Sequence, residues 1–318
     1  MSLYTPECVL KFRQYVDRCA CAYCLDSGAE NVAVTRTWAN ERRESLRLGC
    51  ERACREVLLN PEAFVLHVGE STARAAPALT PFEQTLNQLS INLAIDPYLS
   101  FDESLYGLGV LISKASTCDP TVSDAVLALN TLSHELGELA QRGLLQQQCA
   151  LMPPLPDRQT RAFATLGKQS FPLALPLIDK MAFMLALTEL ALFSPAQRAE
   201  RHHALKTLWR ERCVPFFASQ DHIWRNYLLY RLYDRPFCLA SEHSLGQQFL
   251  QLMQDIHGLK LLSALLISLD LPLDHENLIK VFSAYAMTAE KTPHSEGGGE
   301  EAGEEANKVP FALALISL

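Results

Sequence analysis

The 318-residue chain is short of positive charge: 28 lysines and arginines stand against 36 aspartates and glutamates, for a net charge of −8. General nucleic-acid binding needs a basic surface to neutralise phosphates, so that class is disfavoured. No G-x-G-x-x-G follows a strand pattern and no G-x-x-x-x-G-K-[ST] occurs, which argues against a Rossmann-type methyltransferase or a P-loop enzyme. A G-x-S-x-G elbow is missing too, and with it the serine-hydrolase signature. Asn-Gly and Asp-Gly hairpin turns are absent, as is sustained strict alternation, so strands are not expected. The opening residues lack a basic stretch followed by an apolar core, so a secretory signal is not expected. The longest apolar run, Phe171 to Phe193, carries Pro172, Pro176, Asp179, Lys180 and Glu189 and reads as a buried helix, not a membrane span. Ten cysteines without a signal point to the cytoplasm, where thiols serve metals or packing more often than disulfides.

What is present is helical periodicity. Residues 1–44 are irregular and hold Cys8, Cys19, Cys21 and Cys24. From Ser45, residues Leu46, Cys50, Ala53, Val57 and Leu58 recur at helical spacing up to Asn60-Pro61. Further helices are expected over about 81–95, 101–115, 121–146, 157–169, 174–193, 195–212, 220–234, 244–270 and 274–289. Asp96-Pro97 and Asp119-Pro120 suit an N-cap followed by proline at the first helical position. The proline cluster from Pro153 to Pro156 marks a boundary. The expected architecture is all-α: a multi-helix globular body, a short cysteine-rich start and a disordered acidic tail. Its parts are 1–44, a helical domain 45–151, a second helical domain 152–289 and a tail 290–318. The Gly/Glu-rich stretch up to Lys308 should be solvated. The apolar Val309 to Leu315 either docks back on the body or frays. No internal repeat is found.

Few residues carry chemistry. Gly107 and Gly109 lie in a helical pattern and read as close packing. His134 and Glu138 resemble a zinc-protease pair with its second histidine lost, so a solvated face is expected. His202 and His203 are expected on a charged helix surface. Trp224, Tyr227, Tyr230 and Asp234 form an aromatic stripe read as core, with a lysine-binding channel as the functional alternative. The cysteines say most. Cys19, Cys21 and Cys24 set three thiols within six residues, which suits a soft metal such as zinc or an iron–sulphur cluster. A fourth ligand is available from Cys8, Cys50 or Cys54. The competing reading is buried or free thiols packed as small hydrophobes. Cys118, Cys149, Cys213 and Cys238 are read as structural.

Three segments resemble the flagellin lysine-N-methylase family. Val9 to Arg13 leads into the cysteines, where the family pattern falls on Gln14, Cys19, Tyr23 and Cys24, two of them thiols. Thr35 to Trp38, then Ser45 to Phe64, resembles the family's S-L-x-L-x-C-P-E-A segment, with Thr35 in place of one cysteine and Cys50 keeping the other. His222 to Tyr233 is similar to its H-x-x-E-N-Y-L helix, with Arg225 in place of the acid. The resemblance implies S-adenosylmethionine as methyl donor, flagellin lysines as substrate, and an iron–sulphur cluster or zinc on the cysteines. Cys19, Cys24 and Cys50 are the retained ligands, with Cys21 as the substitute. It names no catalytic base and no donor site. The chain reads as a shortened or diverged member, because a long cysteine-bearing stretch of the family is missing between Cys24 and Ser45. Two other readings stand beside it: a catalytically silent scaffold that binds flagellin or its export partners, and a zinc-binding helical adaptor.

Overall fold

The computed structural model describes residues 1–72, 76–153, 155–291 and 308–316. Fifteen helical segments are assigned in chain order among them. The N-terminal ones are α1 (Glu7–Arg13), α2 (Ala22–Ser27) and α3 (Glu51–Leu58). The body comprises α4 (Pro81–Ile95), α5 (Phe101–Thr117), α6 (Ser123–Gln141), α7 (Leu144–Ala150), α8 (Pro156–Leu166), α9 (Leu177–Leu192), α10 (Pro195–Leu208), α11 (Val214–Ala218), α12 (His222–Asp234), α13 (Leu245–Ser268) and α14 (His275–Lys291). A final helix, α15 (Lys308–Leu313), follows. Helices dominate, as the apolar periodicity requires.

The N-terminal region departs from expectation. It contains a four-stranded sheet of β1 (Ser2–Pro6), β2 (Ala33–Thr37), β3 (Glu41–Leu46) and β4 (Leu66–Glu70), in the order β2-β3-β1-β4. β1 runs parallel to β3, while the β1–β4 and β2–β3 pairs are antiparallel. Ser45 and Leu46 therefore belong to a strand, and the expected helix starts only at Glu51, with Cys50 at its N-cap.

Arg43 on β3 fixes this sheet to the helical body. It is 8% exposed and lies between the rings of Trp38 and Tyr233, 5.2 Å and 5.3 Å from their centroids. It pairs with Glu41 and donates to the Asn87 side chain and the Tyr233 carbonyl. A buried guanidinium is tolerated only when so partnered.

Several helix boundaries differ for local reasons. The expected 121–146 helix breaks at Gly143, whose φ of 66° is left-handed and open to glycine at little steric cost. Asp96 and Asp119 are not N-caps. Each turns its carboxylate to the backbone N–H two residues on, that of Tyr98 and that of Thr121, forming Asx turns. The helices that follow start later: α5 is capped by Ser100, which closes a capping box, and α6 follows Val122, which offers no side-chain cap. Past Leu208 the chain widens into a π-turn over Trp209–Cys213 before α11. Pro215 supplies no N–H to that turn.

The core is one buried apolar cluster reaching from Cys8 to Ile316. At its centre Trp209, Phe217, Trp224, Tyr227 and Phe282 pack edge-on or tilted, with neighbouring centroids 5.3–6.3 Å apart. Gly109 lets α15 approach α5, since a Cβ there would stand 2.5 Å from the Leu313 side chain. Of the two readings for Val309 to Leu315, docking is observed. Gln159, His257 and Lys260 hold the carbonyls of Ala314, Leu315 and Ile316. The solvated stretch expected beyond α14 lies outside the described residues from 292 to 307; its first two residues, Glu290 and Lys291, complete α14. The 174–193 segment buries one face only. Phe183, Leu187 and Leu190 are inside, while Leu177, Ile178 and Met181 are exposed. Among the described residues no helix is long and apolar enough to cross a membrane.

His202 is not on the charged surface where it was expected. It is buried, stacked 5.9 Å from His257, and the Nε2 atoms of both rings lack a partner. Burial, with Lys206 and His203 nearby, pulls His202 down to about 4. His257 is pulled down to about 3 by burial and by the His202 and Lys260 charges. Both rings fold neutral, so below the ordinary histidine pKa the unfolded chain binds more protons. Stability should therefore fall as pH drops from about 6.5 toward 4, by roughly 1.4 kcal/mol per unit for each ring. Urea midpoints at pH 7 and pH 5 measure this. A His202→Phe variant should lose part of the dependence.

Candidate metal centre and flanking clefts

Four of the ten cysteines converge. Cys19 follows α1 in an irregular loop, Cys21 is the N-cap of α2, Cys24 lies inside α2, and Cys50 is the N-cap of α3. Their four sulfurs lie within 4.8 Å of one another, with Cys24–Cys50 at 3.5 Å and Cys50–Cys19 at 3.7 Å. Cys24 and Cys50 are buried, while Cys19 and Cys21 are half-buried. Neither of the other two candidate fourth ligands joins them. Cys8 packs in the core, where burial pushes its thiol up to about 12. Cys54 points to the Ile279 carbonyl and is fully buried. All ten cysteines are free thiols.

The local electrostatics favour a thiolate here. A hydrogen bond from Cys50, together with the backbone N–H groups of Cys24 and Glu51, draws Cys21 down to about 4. Burial holds Cys24 up at about 12. Four sulfurs at this spacing cannot all ionise unless a cation offsets their repulsion. A tetrahedral zinc with bonds of about 2.3 Å sets its sulfurs roughly 3.8 Å apart, and the Cys24–Cys50 and Cys50–Cys19 contacts fall close to that edge. A four-iron cluster places one iron behind each thiolate and spreads the sulfurs wider. The arrangement fits a single thiophilic ion better than a cluster.

One cleft borders the sulfurs, and a second includes Tyr23, the neighbour of Cys24 in α2. The smaller, about 470 Å³, opens over Cys19 and Cys21 and is lined by Tyr15, Glu51, Arg52 and Arg55. Its arginines are engaged, Arg52 over the Tyr15 ring at 4.4 Å and Arg55 with Glu276. The larger, about 940 Å³, lies between the sheet and the ends of α12 and α14, and Tyr23, Arg36, Trp38, Arg47, Asp234 and Glu290 line it. Asp234 is buried and meets Arg36 through two contacts of 3.2 Å and 3.4 Å. Arg47 pairs with Glu290 at 3.2 Å across the mouth.

The aromatic stripe on α12 divides between these settings. Trp224 and Tyr227 are core, and Arg231 joins Tyr227 to Asp255, which also accepts from Tyr285. Asp234 alone reaches the larger cleft, so the stripe does not form a lysine channel by itself. The residues that replace or match the family pattern have structural partners. Arg225 donates to the carbonyls of Ala94, Asp96 and Leu99 and ties the α4–α5 turn. Asn226 donates to the carbonyls of Leu58 and Asn60 at the end of α3. Gly107 and Gly109 are packing residues, and His134 and Glu138 are exposed, both as read from the sequence. Arg47 and Glu290 carry no signal of their own in the sequence. They lie far apart in sequence, and only the packing of α14 beside the Arg47 turn brings them together.

The fold is thus a mostly helical body with a small sheet and a four-cysteine cluster at the starts of α2 and α3. The profile of the FliB lysine N-methylase C-terminal domain matches residues 87–309, and the chain belongs to that family. Among curated proteins, the "Lysine-N-methylase" of Salmonella typhimurium strain LT2 is 29% identical over 145 residues, covering 44% of this chain and 35% of that protein. The protein of the same name from Salmonella choleraesuis strain SC-B67 matches to the same extent. The matched stretch thus spans about a third of each relative's length. No solved structure matches the chain.

Asn226 is 4% exposed, and its amide holds the end of the helix that begins at Cys50. Asn226→Ala should leave both carbonyls without that donor and destabilise the fold by about 1–3 kcal/mol. Urea unfolding measures the loss; a change within error would contradict this anchoring role.

Proposed function

We propose that the protein is a cytoplasmic lysine N-methylase that transfers methyl groups from S-adenosylmethionine to surface lysines of flagellin. The observation that carries this reading is the family match across residues 87–309. The lysine-N-methylase names of the two Salmonella relatives support it. A neutral ε-amine attacks the donor's methyl carbon. The C–N bond forms as the S–CH₃ bond breaks, its electron pair returns to sulfur, and the alkylated amine then gives up a proton. The protein's task is to hold the amine unprotonated and in line with the methyl group. Methylation keeps the lysine charge and adds apolar bulk. The net charge of −8 suits attraction of a lysine-bearing partner.

Cys19, Cys21, Cys24 and Cys50 are proposed to hold one metal ion, with zinc as the fitting choice and an iron–sulphur cluster as the alternative implied by the family resemblance. Four thiolates fill a tetrahedral ion, so it would supply folding free energy and a fixed junction between α2 and α3 rather than an open coordination position.

Intact-protein mass of flagellin from cells with and without this protein tests the reading. Additions in steps of one methyl, mapped to lysines and absent in the deletion, are expected. Unchanged flagellin mass with the protein demonstrably present would overturn methylation of that substrate and leave the silent scaffold.

A further inference from the structure

We infer that the larger cleft, between the β2–β3 edge of the sheet and the ends of α12 and α14, is the site where the methyl donor binds. The inference rests on the methyl-transfer reading above and assigns that reading a place. An alkyl sulfonium donor of this class joins four recognisable parts: an α-carboxylate, an α-ammonium, a cationic sulfur and a flat purine. A site for it must offer both signs of charge and aromatic surface within one concavity.

The larger cleft meets this description and the smaller one does not. At about 940 Å³ it lies in the range of small-molecule sites. Two aromatic rings, Trp38 and Tyr23, face it together with Arg36, Arg47, Asp234 and Glu290. The Arg47–Glu290 pair spans its mouth with side chains 35% and 25% exposed. Solvent-screened pairs of this kind separate readily. An incoming carboxylate can take Arg47 while the ammonium takes Glu290, one zwitterion replacing another with no charge left bare. The deeper Arg36–Asp234 pair, with Asp234 only 3% exposed, stays intact and sets the floor. Trp38, one face of which lies under Arg43, and the largely buried Tyr23 line the cleft and supply its aromatic surface for the purine and the sulfonium. The 470 Å³ cleft has a single aromatic ring, Tyr15.

The cleft is also wired to the cysteines. Tyr23 adjoins Cys24 in α2, and Gly49 precedes Cys50. A Cβ at Gly49 would stand 2.5 Å from the Tyr23 ring, so the ring packs directly on the Gly49–Cys50 turn. The thiol cluster therefore fixes the wall against which the donor lies.

Binding of S-adenosylhomocysteine, the demethylated product, to the full-length metal-loaded protein tests the assignment. Trp38 is the least buried of the three tryptophans, since Trp209 and Trp224 are 6% and 4% exposed, so its fluorescence should change on binding. Calorimetry should show Trp38→Ala and Arg47→Glu weakening affinity at least tenfold, with Arg55→Ala in the smaller cleft within twofold of the parent. Glu290→Gln, at an exposed site, provides a second variant with little risk to folding and should weaken binding in the same direction. Unchanged affinity in the Trp38, Arg47 and Glu290 variants, or loss on Arg55→Ala, would overturn the cleft while leaving the donor in place. Failure of the parent protein, metal in hand, to bind the product at all would overturn the donor reading itself and the cleft with it.

Discussion

Four sulfurs within 4.8 Å of one another set the constraint on which the N-terminal third depends. In water such a group would repel itself apart as soon as it ionised, and a protein interior magnifies that repulsion. Here the backbone aims the N-termini of two short helices at the group, because Cys21 caps α2 and Cys50 caps α3. Those amides favour one thiolate and cannot balance four. The proposed cation would complete the arrangement. With it, a six-residue helix too short to persist alone would become a fixed part of the fold.

The rest of the molecule holds this junction in register. Asn226 on α12 secures the end of α3, and Arg43 locks the sheet between Trp38 and Tyr233. Tyr233 in turn donates to the carbonyl of Tyr4 on β1. One helix, α12, thereby reaches both the sheet and the helix that starts at the cysteines, and its last residue, Asp234, enters the larger cleft. That arrangement places charge of both signs beside aromatic rings close to the thiol cluster. His257 and Lys260 perform a separate task, holding the carbonyls of Leu315 and Ile316 that follow α15.

Much of the helical body is legible in the sequence, because long amphipathic segments such as α4, α13 and α14 repeat their apolar positions over several turns. The sheet is not. β3 reads Glu-Arg-Arg-Glu-Ser-Leu, and its buried Arg43 is paid for by partners the sequence places elsewhere. β4 is exposed along its whole length and so has no buried face to pattern. Only β2, with Val34, Thr35 and Thr37, carried a β-branched signal. The cysteine set was partly legible. Three thiols close together in sequence announce themselves, whereas Cys50 stands out only by likeness to a family segment, and Cys54 one turn on looked equally suitable. Both are buried, but Cys54 faces the Ile279 carbonyl while Cys50 faces the other sulfurs, and that is a property of packing. The burial of His202 is illegible for the same reason: its neighbours in sequence are charged, but its neighbours in space are Phe163 and His257.

Metal content of the purified protein tests the central claim most directly, with metal and acid-labile sulphide measured on the same sample. One zinc per chain without sulphide, lost on Cys24→Ser and retained on Cys118→Ser, is the predicted result. Iron with matching sulphide, or no metal in a folded protein whose Cys24→Ser variant is equally stable, would contradict it.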